Sequence, residues 1–360
     1  MNRIVINRII KYFSLIAIPA LSFTACKDNP VESIPEPPPD IVAQNKLLGR
    51  GVNFGNALEA PKEGDWGVTI EDKYFSLLAN TGFNSVRIPI RWSSHTSSSS
   101  PYNIQQTFFD RIDYLINKAF QNNLAVIINI HHYEEIMTDP ITHKARFLAI
   151  WKQIANRYKD YSYKLFFEIL NEPNSELTPQ IWNEFLRDAL TVIRETNPHR
   201  SVLIGLANWG GLGTLNQLVI PETEKNIILT FHYYNPFEFT HQGADWVDGS
   251  DAWLGTKWPE TLTDKTRLEN EIMTAVTWGA QKNIPVNCGE FGAFEKADMT
   301  SRVNWTSFVR ETCEKYEISW NYWEFCSGFG IYNRDEGEFI EPLLNALIPP
   351  SSQNVILAEN

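Results

Sequence analysis

The chain has 360 residues, 43% hydrophobic and 21% charged, the composition of a soluble globular protein with room for one large domain or two ordinary ones. Its formal net charge of −12 argues against nucleic acid as a partner, because phosphate binding draws on clustered Lys and Arg. A neutral or cationic ligand fits, and 12 Trp among 13% aromatic residues suit flat sugar faces as well as ordinary core packing.

In chain order, the first element is an export signal. Arg3, Arg8 and Lys11 form a basic start, "FSLIAIPALSFTA" is apolar but too short to span a membrane, and Cys26 follows small residues. "LSFTAC" resembles a bacterial lipoprotein signal, so residues 1–25 are expected to be removed and Cys26 to carry lipid. Lys27 after it favours the outer membrane if the cell has two, and an ordinary secretory signal, giving a secreted or periplasmic protein, is the alternative. Residues 26–44 read as a Pro-rich spacer, since the prolines of "NPVESIPEPPPD" can join neither helix nor central strand. The remaining cysteines, Cys288, Cys313 and Cys326, lie in core-like segments and read as three buried thiols.

From Asn45 to Ile348, short β-branched runs alternate with longer amphipathic ones through eight cycles, with residues 349–360 as a tail. The strands are expected at 51–55, 85–90, 125–131, 164–170, 201–206, 227–233, 286–290 and 319–324. Eight strand–helix units in roughly 300 residues predict a single (β/α)8 barrel domain. A doubly wound sheet would carry a Gly-rich phosphate turn after the first strand, and there is none.

Barrel enzymes place reactive groups at the carboxyl ends of strands. Those ends here carry Asn56 and Glu59, Arg87, His131-His132, Asn171-Glu172, Asn208-Trp209, His232 and Tyr234, Glu290, and Trp323-Glu324. Glu172 and Glu290, from opposed strands four and seven, suit glycoside hydrolysis: one acid protonates the leaving oxygen while the other, ionised, attacks or stabilises the anomeric carbon. Arg87 is a candidate to keep one of them charged. In "LFFEILNEPN", strand alternation puts Glu168 and Glu172 on one face, so Glu168 is expected inside the barrel, paired with Arg or another donor.

The motifs "RIPIRW", "NIHHY", "NEP", "FHYYNPFEF", "GEFG" and "WEFCSGFG", in that order, resemble glycoside hydrolase family 5 of the clan A barrels. "GNALEAPKEGDWG" and "HQGADWVDGSDAWLG" are most similar to the bacterial endoglucanases of subfamily 25, several of which also cleave mannan. The resemblance implies a retaining double displacement with Glu172 as acid/base and Glu290 as nucleophile. It implies that Asn171 binds the sugar 2-hydroxyl, that Tyr234 and Arg87 orient Glu290, and that Trp323 stacks under the sugar before the cleaved bond. His131 and His232 match the family's shared positions, and Asn56, Glu59, His132, Trp209 and Trp246 match substrate contacts of the subfamily. The expected partner is a β-glucan or β-mannan, cut by a monomer without cofactor or metal.

Other features have blander readings. "HHYEE" lacks a metal-site spacing, because adjacent residues at a strand end point apart. Trp151, Trp182, Trp278 and Trp305 fall on helical segments and are expected in the core, whereas Trp246, Trp253 and Trp258 sit in a long loop after strand six. A non-catalytic glycan-binding lipoprotein is the rival from another class; it would need the aromatics but not the opposed acids.

Overall fold

The computed structural model describes residues 40–350. The export signal, Cys26, most of the Pro-rich stretch and the final tail lie outside the described residues. Eight parallel strands close into a barrel: β1 (Arg50–Asn53), β2 (Ser85–Ile88), β3 (Ala125–Asn129), β4 (Leu165–Glu168), β5 (Val202–Ile204), β6 (Ile227–His232), β7 (Val286–Glu290) and β8 (Ser319–Tyr322). Closure runs through β8 against β1, where Gly51 lies opposite Asn321. Most strands end one or two residues before the sequence pattern suggests, because their last residues leave the ladder to form the rim.

Amphipathic helices wrap the barrel as the alternation predicts. In Pro179–Arg194, for example, Trp182, Phe185, Leu186, Ala189, Leu190 and Ile193 fall three to four apart and bury one face, behind a Thr178 cap and Pro179 in the first turn. One crossover departs from the expected cycle: β5 and β6 are joined through a 3₁₀ turn, Leu212–Gln217, rather than an α-helix. Gly210, Gly211 and Gly213 in that stretch disfavour a longer helix. The long helix Leu262–Lys282 packs against this turn. Trp151, Trp182, Trp278 and Trp305 are buried, as expected.

A helix, Ile41–Leu48, begins inside the stretch read as spacer. Asp40 caps it by accepting from the amides of Val42 and Ala43, so the local signal was a single Asp that the prolines before it masked. This helix closes the floor of the barrel. Leu48 packs with Ala125, Ile127, Phe166, Leu203 and Ile228, while Asn45 donates to the Val286 carbonyl at 3.1 Å and accepts from Ser319 at 2.8 Å.

The interior is apolar on the β3–β6 side and polar on the β7–β2 side, where Asn53, Asn287, Ser319, Asn321 and Ser85 are buried. They satisfy one another and the backbone: Asn287 donates to Ser319 at 2.9 Å, and Asn53 donates to the Gly289 carbonyl at 3.0 Å. The two faces meet at Arg87. Its Nε and Nη2 donate to Glu168 Oε2 and Oε1 at 2.6 and 2.7 Å, and both side chains are shielded from water. Glu168 is therefore the structural acid the strand pattern called for, and Arg87 holds its carboxyl below the ordinary range against the opposing effect of burial. The three cysteines of the described residues are buried free thiols.

Removing one member of such a pair leaves an uncompensated buried charge. Glu168→Leu is expected to lower unfolding free energy by about 3–5 kcal/mol in denaturant titration, since two of the Arg87 donors then lose their acceptors inside the barrel.

Candidate active site

The ends of the strands converge on a cleft of about 1560 Å³. Its floor and walls include Asn56, His131, His132, Asn171, Glu172, Trp209, His232, Tyr234, Trp246, Glu290 and Trp323, so the structure brings together all the residues to which the family resemblance gives a catalytic or substrate role except Glu59 and Arg87. Several sit where a side chain with a Cβ is strained. Asn56, His132, Glu172, Asn208 and Trp209 have φ between 44° and 60°, the left-handed region, each just past the end of its strand. That turn of the backbone aims each side chain away from the direction the strand would have imposed.

Glu290 ends β7 almost fully buried. Arg87 Nη1 donates to its Oε1 at 2.6 Å and the Tyr234 hydroxyl to its Oε2 at 3.0 Å. Arg87 itself lies beneath the cleft, completely buried, and its remaining donors go to Asn53 Oδ1 and Asn171 Oδ1, each at 2.8 Å. Burial pushes the Glu290 carboxyl above the ordinary carboxylate value, while the charges of His232 and Arg87 pull it back and that of Glu172 pushes it further up. Burial also holds the Tyr234 phenol well above its usual range, so it remains a proton donor to Glu290.

Glu172 is partly exposed to the cleft and hydrogen-bonds His232 Nδ1 through Oε1 at 2.7 Å. His232 Nδ1 lies 3.6 Å from Glu290 Oε2, and the two carboxylates lift its pKa above the ordinary value in spite of burial. One carboxylate oxygen of Glu172 and one of Glu290 fall within 4.8 Å of each other, with the His232 ring nitrogen in the same group. These three have the atom types of a cation site. The Arg87 guanidinium against Glu290 puts fixed positive charge beside that position, which disfavours a metal there.

His131 accepts from Asn129 Nδ2 at 3.2 Å through Nδ1, which leaves its Nε2–H as the donor. Burial holds it neutral, with a pKa well below the usual value, and its ring lies nearly parallel to Trp323 at 6.0 Å. Gly292 of "GEFG" passes so close that a Cβ there would come 2.1 Å from the Trp323 carbonyl oxygen, so only glycine lets this loop support Trp323.

Glu59 is where the expectation is corrected. It is completely buried and does not line the cleft; its Oε2 accepts from the Ala57 amide at 3.0 Å and its Oε1 from the Asn56 amide. It folds the loop that presents Asn56, and burial raises its pKa to about 7. Glu324 does the same after β8, accepting from the Cys326 and Ser327 amides at 2.8 and 2.6 Å, with burial raising it to about 8. Sequence reasoning missed Trp66, which is 42% exposed in the cleft and meets His132 edge-on at 5.4 Å. The Gly64 and Gly67 turns around it, both at positive φ, were the available signal. Of the two Trp left open in the loop after β6, Trp258 is buried and Trp253 packs against Phe237.

A model of the cellulase family, glycosyl hydrolase family 5, matches residues 49–328, the barrel and its rim. The chain belongs to glycosyl hydrolase family 5. Among solved structures, the Thermotoga maritima Cel5A complex with mannotriose is 55% identical with a TM-score of 0.85, over 86% of this chain and all of that one. Endoglucanase H of Acetivibrio thermocellus is 37% identical over 85% of this chain, and endoglucanase 3 of Fibrobacter succinogenes 27% identical over 84%. The chain spans 33% and 53% of the lengths of those two curated relatives. This family member carries two opposed acids in an open cleft, with Arg87 and Tyr234 on one and His232 between them.

An ionised Glu290 depends on its donors, so loss of one favours the protonated form. Isotope-edited infrared or carboxyl NMR titration is expected to place Glu290 above the 4.5 of an ordinary Glu, and Tyr234→Phe to move it higher still.

Proposed function

We propose that this family 5 barrel is a retaining endo-acting hydrolase of β-1,4-linked glucans, with Glu290 as nucleophile and Glu172 as acid/base. The observation that carries the reading is the approach of the two carboxylates to within 4.8 Å. Retaining glycosidases hold their acids about 5–5.5 Å apart, whereas inverting ones leave about 6.5–9.5 Å for a water. In this reading Glu290, held by Arg87 and Tyr234, attacks the anomeric carbon as Glu172 protonates the leaving oxygen. The bond to the leaving sugar breaks as the glycosyl ester forms, and Glu172, now a base, activates the water that hydrolyses it. Asn171 faces the 2-hydroxyl of the sugar undergoing attack, and Trp323 lies under its ring.

The open cleft with exposed Trp66, Trp209 and Trp246 supports internal cleavage, since each offers a flat face to a passing pyranose. Activity on mannan is a second reading, supported by one observation: the same Thermotoga maritima relative was solved both with cellobiose and with mannotriose. The subfamily 25 likeness, export with a lipid on Cys26, and a monomeric state belong to this proposal too.

Reducing-sugar release from carboxymethyl cellulose and glucomannan is the first test; saturable binding with no release would favour a glycan-binding protein. Glu172→Ala is expected to slow polysaccharide cleavage by about 10²–10⁴-fold but aryl glycosides with good leaving groups far less, because these need no proton. Equal losses on both would remove Glu172 from the acid role. Proton NMR of the first product is expected to reveal the β anomer, and an α product would overturn double displacement.

A further inference from the structure

We infer that the cleft continues beyond the catalytic pair onto the face of helix Leu262–Lys282, where Glu271 opens a binding subsite for a pyranose ring on the leaving-group side of the substrate chain. This rests on the glucan-hydrolase reading above. Glu271 and Thr274 line the catalytic cleft and also a second, adjoining depression of about 550 Å³ shared with Thr263, Thr266, Arg267 and Asn270. These positions recur three to four apart and so form one continuous helical face.

The short β5–β6 connection lies between the cleft and that face: Gly211, Leu212 and Gly213 border the cleft, and the 3₁₀ turn Leu212–Gln217 packs against the helix Leu262–Lys282. Direction follows from the ring contacts at the opposite end. Trp323, His131, His132 and Trp66 form a wall with successive centroid steps of 6.0, 4.6 and 5.4 Å, running from β8 through β3 to the β1 loop. With Trp323 under the sugar that is attacked, that wall receives the retained part of the chain. The leaving part exits on the Glu172 side, past Trp209, towards Glu271.

Glu271 is built to accept. Its Oε2 takes hydrogen bonds from the Tyr233 hydroxyl at 2.8 Å and Asn235 Nδ2 at 2.9 Å, which fixes the carboxylate between residues flanking Tyr234. No hydrogen bond among the described residues uses its Oε1, and the residue lines both hollows. A carboxylate held at one oxygen and open at the other suits a vicinal hydroxyl, and Asn270 and Arg267 extend the same chemistry outward. The shelf has no aromatic platform, so rings bound there are held by hydroxyl contacts in water.

The test uses cellohexaose carrying a label at its reducing end. In the full chain with Glu290→Gln, adding Glu271→Gln is expected to weaken cellohexaose binding about tenfold by calorimetry, the loss of one charge-assisted hydrogen bond. Unchanged affinity would overturn the subsite. In the hydrolysing protein, Arg267→Ala/Asn270→Ala, which touches neither Tyr233 nor Asn235, is expected to move cleavage towards the reducing end, because binding modes filling the leaving-group side lose affinity. An unaltered pattern, or a shift towards the non-reducing end, would also overturn it. If the unaltered chain cleaves nothing, the hydrolase reading fails and the calorimetric arm still decides whether Glu271 binds the oligosaccharide.

Discussion

Arg87 uses all five of its N–H donors inside the barrel, on Glu168 twice and on Asn53, Asn171 and Glu290 once each. One guanidinium thereby ties β2 to β1, β4 and β7 and places the residue before Glu172 in the same plane of contacts as Glu290. Lysine, with one nitrogen and three donors on a flexible stem, could satisfy no more than part of this set. The cost of burying a cation is offset because two carboxylates and two amides surround it. The placing of the two cleft acids thus leans on a structural ion pair beneath them, through Glu290 directly and through Asn171 beside Glu172.

That arrangement explains what was legible in the sequence. Alternation along "LFFEILNEPN" put Glu168 inside and required a partner, and the partner proved to be the Arg already noted at the end of β2. The opposed acids, the closed eight-strand order and the rim residues followed from strand periodicity, since a barrel fixes where strand ends meet. The likeness to family 5 also anticipated the belonging that the match over residues 49–328 establishes.

What alternation does not encode are residues past the ends of strands. Glu59 reads as a rim acid by position, yet the loop curls back so that its carboxylate caps its own amides. Trp66 was passed over because a lone Trp in a Gly-bordered turn has no periodicity to orient it. The 3₁₀ link after β5 and the floor helix were missed for related reasons: three glycines and a single Asp cap are short-range signals that neighbouring patterns outweigh. The left-handed rim residues divide labour in the same way, with strained backbone at the mouth supported by a satisfied polar interior below.

The helix Ile41–Leu48 lies at the floor, while Glu172 and Glu290 open at the opposite mouth. Its position means that the foldable unit starts ahead of residue 49, where the family likeness begins; a chain cut there would expose Leu48's neighbours Ile127, Phe166 and Ile228 to water. It also sets an orientation. The chain enters the described fold at the end of the barrel remote from Glu172 and Glu290, so the cleft opens away from that entry.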